Sequence, residues 1–94
     1  MIDKRQFYIN GQWVSPAKAN NFDIIDPSTE DVVGVISLGG QSDTDAAVAA
    51  AKEAFPAWSQ TSKEERLVLL DKLLEIYKAR QAEMAAAISL EMGA

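Results

Sequence analysis

Ninety-four residues suffice for one small domain, and a chain of that length buries only about 60–65% of the surface its unfolded form exposes. With 14 Asp+Glu against 9 Lys+Arg the net charge is -5, and the basic residues are scattered among acids, which excludes a nucleic-acid surface built on clustered Lys and Arg. There are no cysteines and no histidines, so the chain has no thiolate nucleophile, no disulfide, no Cys zinc site and no side chain whose unperturbed pKa lies near neutrality.

The first residues, MIDKRQ, lack the apolar core of a secretory signal. No stretch approaches the roughly 20 apolar residues of a membrane span. The expectation is a soluble, cytoplasmic chain without nucleic-acid or membrane partners.

The chain divides near Gly40 into a β-rich part, residues 1–40, and a helical part, residues 41–94. Phe7, Tyr8 and Ile9 and then Gln12, Trp13 and Val14 flank Asn10-Gly11, a strong signal for a two-residue hairpin whose turn residues take positive φ. Tyr8 and Trp13 would then face each other as a cross-strand aromatic pair. A loop is predicted over residues 17–21 and a third strand over 22–25. Asp26, Pro27, Ser28, Thr29 and Glu30 form a turn, because Pro fixes φ while Asp and Ser bond their own backbone. Val32, Val33, Val35 and Ile36 predict a fourth strand over residues 31–38. Gly39-Gly40 has neither the spacing of a dinucleotide loop nor a Walker Lys, and reads as a plain strand-to-helix connection.

Ser42 is expected to open the first helix, with Asp45 in the reciprocal capping position. Val48, Ala51 and Phe55 lie on one face of it; Pro56 is expected to stop it, leaving Trp58 in the connection. Ser62 opens the second helix with Glu65 as its capping partner. There Leu67, Leu70, Leu74 and Tyr77 make one apolar stripe, suited to packing on a sheet or a neighbouring helix. One helix through to Met92 would run about 45 Å, long for a small domain, so a bend is expected near residues 80–82. Glu64, Glu65 and Glu75 read as a solvated helix face rather than an acid/base pair, and Trp13 and Trp58 as packing residues rather than a ligand platform. The architecture is therefore α+β: a β-hairpin and short strands, then two or three α-helices. No catalytic and no cofactor-binding residue emerges.

Residues 8–14 (YINGQWV), 22–32 (FDIIDPSTEDV), 45–58 (DAAVAAAKEAFPAW), 62–66 (SKEER) and 90–93 (LEMG), in that order and spacing, resemble the opening of the NAD(P)-dependent aldehyde dehydrogenase superfamily, over nearly the whole chain. Asp26 stands where the family often carries Asn. The resemblance implies an α/β enzyme fold of which residues 1–94 are an incomplete amino-terminal part, belonging to the coenzyme domain. It implies oxidation of an aldehyde to an acid with NAD or NADP. A Cys thiolate adds to the aldehyde, hydride passes to the nicotinamide, a Glu-activated water releases the acid, and an Asn and a backbone N–H hold the oxyanion. All of those groups would lie downstream, so the chain alone is expected to be inactive and to hold no coenzyme. The resemblance also implies a structural monovalent cation with backbone carbonyl ligands at Ile25 and Glu91. The partner implied is the remainder of the enzyme chain, with self-association through apolar surface that lacks it. A second reading is a stand-alone interaction module derived from the same family.

Overall fold

The computed structural model describes residues 1–94. Five strands, β1 (Ile2–Lys4), β2 (Phe7–Ile9), β3 (Gln12–Val14), β4 (Asn21–Ile25) and β5 (Val32–Ser37), precede three helices, α1 (Gln41–Ser59), α2 (Lys63–Ala79) and α3 (Gln81–Met92). This is the α+β arrangement expected.

β2 and β3 form the antiparallel hairpin, with Phe7 opposite Val14 and Tyr8 opposite Trp13. Asn10 and Gly11 take φ of 54° and 75°, as the turn requires. The Tyr8 and Trp13 rings lie 5.1 Å apart and tilted by 55°, within the range of favourable aromatic pairs.

The other sheet has the order β1-β5-β4. β4 runs antiparallel to β5 and β1 parallel to it. β1 was not foreseen: its three residues are all exposed, so it carries no alternation to read. Non-local bonds hold it. Ile2 to Lys4 pair with Gly34 to Ile36, and the Ser37 hydroxyl donates to the Arg5 carbonyl at 2.7 Å. Gly34 is fixed by this sandwiching, since a Cβ there would sit 3.0 Å from the Ile2 carbonyl oxygen and 3.3 Å from Ile24 Cδ1.

The first helix corrects the sequence reading at both ends. It starts at Gln41, and the capping carboxylate is Asp43, not Asp45: the Gly40 amide donates to Asp43 Oδ2 at 2.9 Å. Two aspartates two residues apart satisfy a spacing rule about equally well, and Asp43 prevails because its other oxygen also reaches the Ala17 amide, at 2.9 Å. Pro56 lies inside α1, as does Trp58. Pro removes one amide, but the last turn is closed otherwise. The Ser59 hydroxyl donates to the Pro56 carbonyl at 2.8 Å and the Thr61 hydroxyl to the Trp58 carbonyl at 2.7 Å.

α2 begins as expected, with Ser62 and Glu65 bonding each other's amides at 3.1 Å. The bend falls at Arg80, whose φ of -110° and ψ of 15° leave the helical region. It costs little hydrogen bonding. The Arg80 amide still donates to the Ile76 carbonyl, and the Arg80 carbonyl accepts from Glu83 and Met84. Its guanidinium holds Glu83 through two 3.1 Å bonds, an exposed pair of small energetic weight.

There is no apolar core. Only Gly34 and Ser37 are buried, and no hydrophobic residue is. The apolar stripe of α2 is left uncovered by the elements of this chain: every residue of α2 is exposed. The Cα radius of gyration is 17.1 Å, against about 12 Å for a compact domain of this length. The exposed area is 7723 Å², whereas a compact monomer of this mass exposes about 5,300 Å².

Candidate functional site

Three places on this open framework bear on function. The first is where β4 ends. The pairing of β4 with β5 is irregular between Ile24 and Ile25, so the strand leaves the sheet at Ile25 and enters the turn at Asp26-Pro27. The Ser28 amide and hydroxyl both donate to Asp26 Oδ1 at 2.8 Å. The Asp26 amide donates to the Asp31 carbonyl at 3.0 Å, and the Glu30 amide to the Asp26 carbonyl at 2.8 Å. Closing the turn puts Glu30 in the left-handed region, at φ 62°.

The carboxy-terminal end of α3 rests on this turn. Gly93 ends the helix at φ 72°. A Cβ there would stand 2.9 Å from the Ser28 amide nitrogen and 3.1 Å from Pro27 Cβ. The Gly93 and Ala94 amides both donate to the Ser89 carbonyl, which closes the helix. The fold thus brings together the turn that follows Ile25 and the helix end that carries Glu91. No group of three His, Cys, Asp or Glu residues that could hold a metal ion is found in the chain.

The second place is the Asp43 carboxylate, which spacing alone did not single out. It ties the loop at Ala17 to the start of α1. The Gly40 amide, and after it the Ala17 amide, hold its carboxyl below the usual carboxylate range. The Ser28 amide and then the Ser28 hydroxyl do the same for Asp26. A depressed carboxyl stabilises the fold fully above its unfolded pKa, about 3.9, and that contribution is lost as pH falls through the lower folded value. The amide resonances of Ala17, Gly40 and Ser28 should therefore stay constant from neutral pH down to about 4; below it those of Ala17 and Gly40 should move together with Asp43, and that of Ser28 with Asp26. Titration of these amides near neutrality would contradict the assignment.

The third place is the apolar face of the two later helices. Leu73, Ile76, Tyr77, Met84 and Ala87 line an open groove of about 410 Å³ between α2 and α3, with Arg80 and Glu83 among its lining residues. Leu67, Leu70, Leu74 and Tyr77 are 46, 59, 51 and 49% exposed, too much for residues in a finished core. Trp13 and Trp58 are likewise uncovered. Glu64, Glu65 and Glu75 lie on the exposed α2, where Glu75 meets only Lys72, at 3.6 Å. No helix is long and apolar enough to cross a membrane.

Comparison with known proteins gives one answer throughout. The family model described as the aldehyde dehydrogenase family matches residues 13–94. A 3-succinoylsemialdehyde-pyridine dehydrogenase from a Pseudomonas species is 49% identical over the whole chain, which covers 20% of that protein. The crystal structure of an aldehyde dehydrogenase from Bartonella henselae superposes with a TM-score of 0.98 at 52% identity, over 100% of this chain and 20% of that one. An aldehyde dehydrogenase from Pseudomonas syringae, solved with NAD+ and octanal, gives 0.93 at 43% identity, over 96% of this chain and 19% of its own. The chain thus spans about one fifth of the length of the relatives it matches.

Proposed function

The chain belongs to the aldehyde dehydrogenase family, and from that premise we propose that it is the amino-terminal part of an enzyme that oxidises an aldehyde to a carboxylic acid with NAD+. The observation that carries this reading is the full-length superposition on the Bartonella enzyme, at a TM-score of 0.98 and 52% identity. The complex of the Pseudomonas syringae relative with NAD+ favours NAD+ over NADP+. Residues 1–94 contribute part of the coenzyme domain, β-rich over 1–40 and helical over 41–94, and work with the remainder of the enzyme chain. Supplied alone, the chain reduces no coenzyme, since it has no cysteine to attack an aldehyde; its uncovered apolar face drives self-association instead. A cytoplasmic setting accords with a chain that uses no cysteine.

The choice of aldehyde belongs elsewhere in the enzyme. A relative named for a pyridine semialdehyde and one solved with octanal keep 49% and 43% identity to this same segment.

At the Ile25 and Glu91 carbonyls we propose a monovalent cation. The packing of Gly93, two residues past Glu91, on Pro27 and Ser28, which closely follow Ile25, supports it, since hard cations take oxygen ligands. The protein's part is to hold those oxygens still. Replacing sodium and potassium by a bulky organic cation should lower the unfolding midpoint of the complete enzyme. An unchanged midpoint would remove the cation from this site.

The functional reading is tested by joining residues 1–94 to the remaining four fifths of the Bartonella enzyme. The joined protein should reduce NAD+ in the presence of an aldehyde within about tenfold of the unaltered enzyme, under ~1.4 kcal/mol of barrier. A folded joined protein without that activity would refute it.

A further inference from the structure

We propose that Asn10 is a site of spontaneous deamidation gated by the hairpin turn it forms: the closed β2–β3 turn protects the side-chain amide, and the open turn lets Gly11 attack it. The observation that carries this is the pair of positive φ angles at Asn10 and Gly11, 54° and 75°. The reaction joins adjacent residues, so it needs no partner and is independent of aldehyde oxidation.

The sequence supplies the chemistry. Gly11 has no Cβ, so its backbone nitrogen approaches the Asn10 side chain unhindered. That nitrogen gives up its proton to solvent and bonds to Asn10 Cγ. The Cγ–Nδ2 bond breaks, and Nδ2 takes up a proton and leaves as ammonia, which closes a succinimide ring. Water then adds to one of the two ring carbonyls. Opening the new N–Cγ bond gives aspartate. Opening the bond from the nitrogen to the main-chain carbonyl carbon gives isoaspartate, with the chain now running through Cβ and Cγ. Asn20 and Asn21 are followed by Asn and Phe, whose side chains crowd the same attack, and they serve as internal controls.

The structure supplies the gate. Two positive φ angles in a two-residue loop mark the turn whose first central residue has ψ of about 30°. At that ψ the Gly11 nitrogen points away from Asn10 Cβ, whereas ring closure needs the two on the same side. A Cβ built on Gly11 would meet nothing within 4 Å, so the turn's dihedral angles, and not packing around it, block the attack. Rotating into the reactive geometry undoes the turn, and with it the pairing of Ile9 with Gln12 and of Tyr8 with Trp13. The Tyr8 and Trp13 rings, 5.1 Å apart, hold the gate shut from across the strands. The two products then have opposite fates. Aspartate followed by glycine suits the same turn. Isoaspartate adds a backbone atom to a loop whose length sets the strand register, so the hairpin cannot close again in that register.

The test is peptide mass mapping of the enzyme formed by joining residues 1–94 to the rest of the Bartonella enzyme, after incubation at mildly alkaline pH. A synthetic peptide of residues 6–15 is the open reference. Asn10 should be lost on the order of 100-fold more slowly in the folded enzyme than in the peptide, with Asn20 and Asn21 intact. Trp13→Ala and Tyr8→Ala should each speed the loss in the enzyme about 2- to 10-fold, the weight of one aromatic pair, and leave the peptide rate unchanged. Hydrogen exchange over residues 7–14 should stay slow in Asn10→Asp and become fast in enzyme that carries isoaspartate. Equal rates in enzyme and peptide would overturn the gate, as would aromatic variants that keep the far-ultraviolet circular dichroism of the parent and deamidate no faster. A peptide whose Asn10 remains an amide would overturn the site itself.

Discussion

Leu70→Ala is expected to lower the unfolding free energy of the joined enzyme by about 2–5 kcal/mol, and to leave the helicity of the 94-residue chain unchanged. The contrast follows from where the side chain stands. In this chain Leu70 is 59% exposed, so truncation removes no packed neighbours and opens no cavity. Ala is also the better helix former, which leaves nothing to lower helical content. Once the face is covered, the same truncation removes about three buried carbons and leaves a void that the surroundings only partly fill. Leu74→Ala, one turn further along the stripe and 51% exposed, should behave alike. Val68, 67% exposed, lies on the other side of the helix from Leu70 and Leu74 and serves as the control, with Val68→Ala within about 0.5 kcal/mol in both settings. Denaturant unfolding of the joined enzyme and circular dichroism of the isolated chain decide it. A cost near zero in the joined enzyme would place the stripe in solvent there too.

How far the fold was readable follows the range of the interactions involved. The hairpin was legible because its cause is local: only certain residues take positive φ side by side, and Asn10-Gly11 sits between two strand-like triplets. The Ser62–Glu65 box and the break at Arg80 were legible for the same reason. β1 was not, since three exposed residues acquire a strand only through β5, about thirty positions on. Asp43 rather than Asp45 is the capping carboxylate because the cap is Gly40 and not Ser42, and its second bond, to the Ala17 amide 26 residues back, has no local signature. Pro56 was given too much weight, as the hydroxyls of Ser59 and Thr61 close the turn it weakens. The Leu67–Tyr77 stripe was read correctly as apolar, but periodicity reports that a face must be covered and not by what.

The cation site proposed at Ile25 and Glu91 shows the same division. Backbone carbonyls have no residue signature, so those positions could be reached only through resemblance. The feature of the sequence that does mark the place is Gly93. It answers two demands at once. Its φ of 72° costs a residue with a side chain about 1 kcal/mol, and its missing Cβ leaves room for the Ser28 amide nitrogen, which a Cβ would approach to 2.9 Å. Gly93→Ala should therefore cost the joined enzyme about 2–4 kcal/mol, the left-handed strain plus a close contact with backbone that cannot swing away. Gly93→Asn separates the two. Asn tolerates the left-handed region but brings the same Cβ, so an Asn variant as damaged as the Ala variant assigns the loss to the Ser28 contact. An Asn variant close to the parent assigns it to φ alone. If the contact dominates, the Ser28 amide should exchange faster with solvent in both variants, and the stabilisation by sodium or potassium should vanish with it, because the turn after Ile25 and the end of α3 would no longer be held together. Unaltered cation dependence in a destabilised Gly93→Ala enzyme would separate the helix-end contact from the cation, and would leave Gly93 a helix cap only.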